Sequence, residues 1–140
     1  MRIEIIYALL SMMAAGVTSV IAKQGLKNVS GDTGLFIRTL FVALFISFNF
    51  IVFGYAKEMR QLTKTDILFL CGSAVTTTLS WVFYYKAIKI GNVSEVALID
   101  KASILITLLL SFFILREPFT VKIAAGTTCI LAGLIILIWK

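Results

Sequence analysis

Five stretches of this chain are long and almost purely apolar, and they leave few folds open. They run from about Ile3 to Ala22, Leu35 to Tyr55, Ile67 to Tyr85, Val93 to Leu115 and Thr120 to Trp139. A helix rising about 1.5 Å per residue needs roughly 20 apolar residues to cross about 30 Å of hydrocarbon, and each stretch meets that length. None alternates polar with apolar residues over short segments, which argues against membrane strands. The connections are brief and polar: "KQGLKNVSGD", "KEMRQLTKTD", "KAIKIGN" and "REP", the last placing Pro118 in the first turn of the final helix. The fold expected is an all-α integral membrane protein, one domain over residues 1–140, with five transmembrane helices and its termini on opposite sides. Composition agrees, since 14% of residues are charged and 60% hydrophobic, against roughly 25% charged in a soluble domain.

Arg2 followed by an apolar run and the small residues Ala14, Ala15 and Gly16 has some look of a secretory signal. The run exceeds the roughly 7 to 15 residues of a signal core, so it is read as a retained helix. "NVS" occurs at Asn28 to Ser30 and again at Asn92 to Ser94; both lie at helix ends, where turn and capping duty is expected rather than glycosylation.

Several function classes are excluded by what the chain lacks. There is no histidine, which removes the commonest metal ligand and proton shuttle and rules out Ser-His-Asp and Cys-His catalysis. Cys71 and Cys129 fall in separate apolar runs without CxxC spacing and read as packing residues. No Gly-rich phosphate loop is present. The expectation is a protein that is not an enzyme and takes neither metal nor cofactor. A net charge of +6 points to anionic lipid rather than nucleic acid, because the basic residues form no stripe. The lipid bilayer is thus one partner, and any proton coupling falls to carboxylates or lysines.

With five spans, the basic residues outside the fourth helix divide evenly. Arg2, Lys57, Arg60, Lys64, Arg116 and Lys122 fall on one side; Lys23, Lys27, Arg38, Lys86, Lys89 and Lys140 fall on the other. Lysine and arginine bias normally fixes orientation, and here it is close to zero. Insertion in both directions would let two copies supply the inverted halves of a transporter as an antiparallel homodimer. A fixed orientation set by the first helix is the competing expectation.

Polar residues cluster on helix faces at about 100° per residue. Ser73, Thr76, Thr77, Ser80 and Tyr84 share one face of the third helix, with Trp81 at its flank; Asp100, Ser103, Thr107 and Ser111 share one face of the fourth. Tyr7, Ser11 and Thr18 add to them from the first helix. Such faces suit a cavity for a small-molecule substrate, or close helix packing in the membrane. Ala125, Cys129 and Gly133 form a small-residue ridge on the last helix, expected as a helix contact and candidate dimer seam.

Asp100 and Lys101 stand inside the apolar fourth run. Asp100 lies seven residues from Val93, about 10 Å along the axis, too deep for its short side chain to snorkel. Lys101 is turned about 100° from it, so each is expected to find a partner elsewhere. "KNVSGDTGLFIR" faintly echoes "GNVSEVALIDK": each has Asn-Val-Ser, then an acid and a base six residues later, Asp32 and Arg38 in one, Glu95 and Lys101 in the other. This repeat would gather Arg38, Glu95, Asp100 and Lys101 at one cavity mouth, either as an Arg38–Asp100 structural pair or as a cluster that binds substrate or exchanges a proton.

The segments "AKQGLKNV…IRT", "YYKAIKIGNVSEVALIDKASILITLLLSFFILREPFT" from Tyr84, and "AAGTTCILAGLIILI" resemble the EamA-type members of the drug/metabolite transporter superfamily, in the short form with one five-helix unit. The resemblance covers essentially the whole chain and is most specific from Tyr84 to Thr120. The family usually has Leu-Gly-Glu followed by Leu-Thr where this chain reads "FILREPFT". Arg116 thus replaces the glycine, and Pro118 follows Glu117, stiffening that turn. The resemblance implies a secondary carrier of small metabolites or toxic organic compounds in a bacterial or archaeal cytoplasmic membrane. Larger relatives join two inverted units in one chain, and this chain has one. Two alternatives remain at this stage: a flippase of lipid-linked carriers in which Arg38 and Lys101 grip phosphate, and a non-transporting subunit that assembles with another membrane protein.

Overall fold

The computed structural model describes residues 2–118 and 120–138, with side chains to residue 136. Every regular element among them is helical: α1 (Ile3–Gly25), α2 (Gly31–Val52), a short 3-10 helix (Tyr55–Gln61), α3 (Lys64–Ile90), α4 (Val93–Lys101), α5 (Ser103–Ile114) and α6 (Val121–Ile138). Four runs are long and apolar enough to cross a membrane: α1, α2, α3 and the combined Val93–Ile114. The last apolar helix is shorter, Val121–Ile136. The chain divides into two compact units, Met1–Ile90 and Gly91–Lys140.

In the first unit, capping residues move the expected helix ends. Ser30 stops the chain short of α2 and its Oγ accepts the Thr33 N–H at 3.1 Å, so α2 begins at Gly31 rather than Leu35. It ends at Val52 because Gly54 adopts φ 71°, a left-handed conformation that glycine enters without a Cβ clash. Thr63 and Asp66 form a reciprocal capping box. The Thr63 N–H donates to Asp66 Oδ2 at 2.9 Å and the Asp66 N–H to Thr63 Oγ1 at 3.2 Å. This starts α3 at Lys64, and the helix continues through "KAIKI" to Ile90, residues expected to form a loop.

The core of this unit gathers at one end, where the α1–α2 turn meets the last turns of α3. Leu26, Leu35, Tyr85 and Ile88 are buried there. Backbone approach makes the contact close: a Cβ on Gly31 would lie 2.9 Å from the Tyr85 carbonyl oxygen and 3.0 Å from the Lys86 nitrogen. Lys86 and Asp32 pair at 3.5 Å across the same α2–α3 contact. Away from this end the helices show apolar surface, including Phe41, Phe45 and Phe48 of α2, as expected where lipid or another chain is the neighbour.

In the second unit the expected fourth helix forms as one run, Val93–Ile114, with a single tightened turn inside it. Ala102, at φ −61° and ψ −19°, separates α4 from α5, and its N–H bonds the Ile99 carbonyl at 2.9 Å in a tightened turn. α4 packs on α5 and α6, and Leu134 is buried. α5 ends at Ile114, and Arg116, two residues beyond, is a non-glycine residue at φ 55°. The Glu117 N–H donates to the Ser111 carbonyl at 3.3 Å while the Ser111 hydroxyl donates to the Glu117 carboxylate. Pro118 lies in the connection ahead of α6 rather than in its first turn, since α6 starts at Val121. Trp139, the expected end of the last span, lies outside the described residues.

Candidate functional site

Among the described residues, Lys101 is the one charged side chain on a groove of about 660 Å³ in the second unit. Ser103 and Thr107 of α5 share its wall with Cys129 and Gly133 of α6, and Leu98, Ile104, Ile130 and Leu134 complete it. Residues read as substrate-facing and residues read as a dimer seam therefore line the same groove. Ala125, the first member of the expected ridge, is exposed on α6 and is not part of the lining. Thr107 Oγ1 donates to the Ser103 carbonyl at 3.1 Å, which satisfies its proton and leaves the oxygen free to accept.

Two of the charged residues lie differently from expectation. Asp100 and Lys101 do contact each other, Oδ2 to Nζ at 3.7 Å. Ala102 ends α4 directly after them, and the flexible lysine stem reaches back to its neighbour despite the angle between the two positions. Both side chains are partly exposed, at 36% for Asp100 and 69% for Lys101, a setting in which an ion pair is weak. Asp100 is not part of the groove lining. Glu95 sits in the first turn of α4 and accepts from Asn92 Nδ2 at 3.2 Å, while the Asn92 side chain makes no capping bond to the helix backbone. Ser111, the outermost hydroxyl of the expected stripe, is committed to Glu117.

Arg38 belongs to the first unit. Its guanidinium lies 4.4 Å from the Trp81 ring centroid and 5.8 Å from that of Tyr85, within reach of cation–π attraction. It also lines a groove of about 630 Å³ built from α1, α2 and Tyr85. Ser73, Thr77 and Ser80 are exposed along α3, and the neighbouring Thr76 donates to the Ser73 carbonyl at 2.9 Å. Tyr84 instead turns toward α1, its hydroxyl donating to Ser19 Oγ at 2.7 Å. The α3 stripe thus splits, with hydroxyls exposed along the helix and aromatics packed at the end near the core.

Sequence reasoning missed Tyr85, which floors the Arg38 groove, and Ser19, which receives Tyr84. It also missed the roles of Lys23 and Lys89, counted only as loop charges. A lysine in the last turn of each helix, where free carbonyls accumulate, was the available signal.

Residues 2–139 match the EamA-like transporter family. The chain belongs to that family. A protein from Sinorhizobium sp, described as an uncharacterized transporter in the cobO 3'region, is 30% identical over 131 residues, covering 94% of this chain and 93% of its own length. No solved structure matches the chain. As an EamA-like protein with several apolar helices of spanning length, it is a multi-pass membrane transporter.

Proposed function

We propose that this EamA-like transporter is a secondary carrier of a small metabolite or toxic organic compound, and that it works by alternating access as an antiparallel homodimer. The five apolar runs then all cross the cytoplasmic membrane of a bacterium or archaeon, with the termini on opposite sides. The observation that carries the reading is an exposed ammonium, held only by a weak pair with Asp100, on an apolar run of spanning length. Lys101 is eight residues beyond Val93, about 12 Å along the run, and its side chain is 69% exposed beside the hydroxyls of Ser103 and Thr107. Ionisable groups within a membrane face a protein interior or a watery cavity rather than lipid. A second copy laid over this groove gives Lys101 such a surrounding, and the even division of basic residues supports a copy of inverted orientation. In this reading Lys101, Ser103 and Thr107 meet the solute. Asp100 or Glu95 is the proton-sensitive carboxylate.

The test is the orientation of each terminus in native membranes. Cys71 and Cys129 are both exposed, so they are first replaced by serine, and single cysteines are placed at Arg2 and Lys140. Comparable labelling of each terminus from both sides is the result expected. A single orientation would sink the antiparallel dimer and direct the search to a partner chain carrying the inverted half.

A further inference from the structure

Arg38 presents a problem that its own unit does not solve. It stands seven residues into α2, and its Nη1 is buried without a hydrogen-bond partner. The two aromatic rings beside it offer π faces, which attract the charge but satisfy no N–H. The nearest acid in sequence, Asp32, is engaged by Lys86 at 3.5 Å. Arg38 as a whole is only half-buried and lines a groove, so an acceptor for its guanidinium can come from outside the chain. The guanidinium fork is suited to phosphate and carboxylate.

The surroundings specify the rest of the ligand. Arg38 lies on the wall of the groove of about 630 Å³ whose apolar lining includes Ile21 of α1 and Ile37 and Phe41 of α2. These three side chains are largely exposed on helices of membrane-spanning length, where the surrounding medium is acyl chain. A compact hydrophilic anion would leave this lining unused, and a neutral lipid would leave the positive charge unanswered. We propose that the Arg38 groove binds an anionic phospholipid of the surrounding bilayer, with the headgroup phosphate on the guanidinium and an acyl chain against Ile21, Ile37 and Phe41. Its lining shares no residue with that of the Lys101 groove, and the proposal does not rest on the transport reading.

Trp81, at 4.4 Å from the guanidinium, is a reporter already in place. The full chain carries two tryptophans, so Trp139→Phe leaves Trp81 alone. That protein is placed in phosphatidylcholine nanodiscs, and brominated phosphatidylglycerol or brominated phosphatidylcholine is introduced as quencher. The expected result is an apparent preference of about tenfold for the anionic lipid, the factor that corresponds to one charge-assisted contact. Arg38→Gln should abolish the preference, and Arg38→Lys should keep part of it. Equal quenching by the two lipids in the Trp139→Phe protein overturns the proposal, and this comparison needs no change at Arg38. Retention of the full preference in Arg38→Gln also overturns it. So does loss of the preference on adding inorganic phosphate at constant ionic strength, which would assign the site to a soluble anion.

Discussion

Lys23 and Lys89 cap each other's helices. Lys23 Nζ donates to the Ile88 and Lys89 carbonyls at the end of α3, at 2.5 and 3.2 Å, and Lys89 Nζ donates to the Leu26 and Lys27 carbonyls beyond the end of α1, at 2.5 and 3.0 Å. Each ammonium meets carbonyls that the helix cannot satisfy and lies at the negative end of a helix dipole. Replacing either lysine by methionine should lower stability by about 1 to 2 kcal/mol. Because both contacts need the same two helix ends held together, the double variant should lose at least about 0.5 kcal/mol less than the sum. Unfolding in mixed micelles measures this; strict additivity would mean the two lysines act independently.

Gly31→Ala tests the closeness of α2 and α3. The added Cβ meets backbone of Tyr85 and Lys86 at 2.9 to 3.0 Å, and backbone yields only by separating the helices. A loss of about 1 to 3 kcal/mol is expected, in the range of other overpacked sites. Gly16→Ala is the control, since nothing lies within 4 Å of its Cβ, and alanine there should be neutral or stabilising. Similar thermal midpoints for the two variants would contradict the close approach.

The turn after α5 is strained by its residue choice. A left-handed conformation is unfavourable by about 1 to 2 kcal/mol for a residue with a Cβ, and Arg116 holds one at φ 55°. Arg116→Gly relieves this strain and should raise the thermal midpoint, with a gain of about 0.5 to 1 kcal/mol after glycine's greater unfolded entropy is subtracted. A drop instead would show that the guanidinium itself makes a stabilising contact.

Ser30→Ala should weaken the start of α2 by about 1 kcal/mol, because the Thr33 N–H loses its acceptor at 3.1 Å. Hydrogen exchange read residue by residue is the suitable measurement, and the loss of protection should concentrate in the first turn of α2.

Asp100→Asn separates structure from transport. The pair with Lys101 spans 3.7 Å between partly exposed groups, so its removal should change stability by less than about 1 kcal/mol. If Asp100 carries the coupled proton, the same substitution should remove the pH dependence of uptake in proteoliposomes while insertion stays normal. An unaltered pH profile would shift the proton-sensitive role to Glu95.

Some of this protein was determined by its sequence alone. Hydrocarbon admits no unpaired backbone, so a run of about 20 apolar residues has helix as its one economical answer; the helical class followed without any knowledge of neighbours. Local chemistry was also legible: Ser30 caps α2 because its short hydroxyl side chain reaches the free Thr33 N–H there. Helix lengths were less so. α3 runs on to Ile90 because Lys86 and Lys89 meet Asp32 and the end of α1, partners that no local pattern specifies.

The tertiary structure decided which polar residues share a surface. Helical periodicity places Asp100, Ser103, Thr107 and Ser111 on one face, but the structure gives them different neighbours. Asp100 pairs with Lys101, Ser103 and Thr107 line a groove with Cys129 and Gly133, and Ser111 at the end of α5 bonds Glu117. Arg38 illustrates the same limit, since its rings come from positions 81 and 85 on another helix. Apolar burial and charge set which segments enter the membrane; contact between residues distant in sequence set what each charge faces once there.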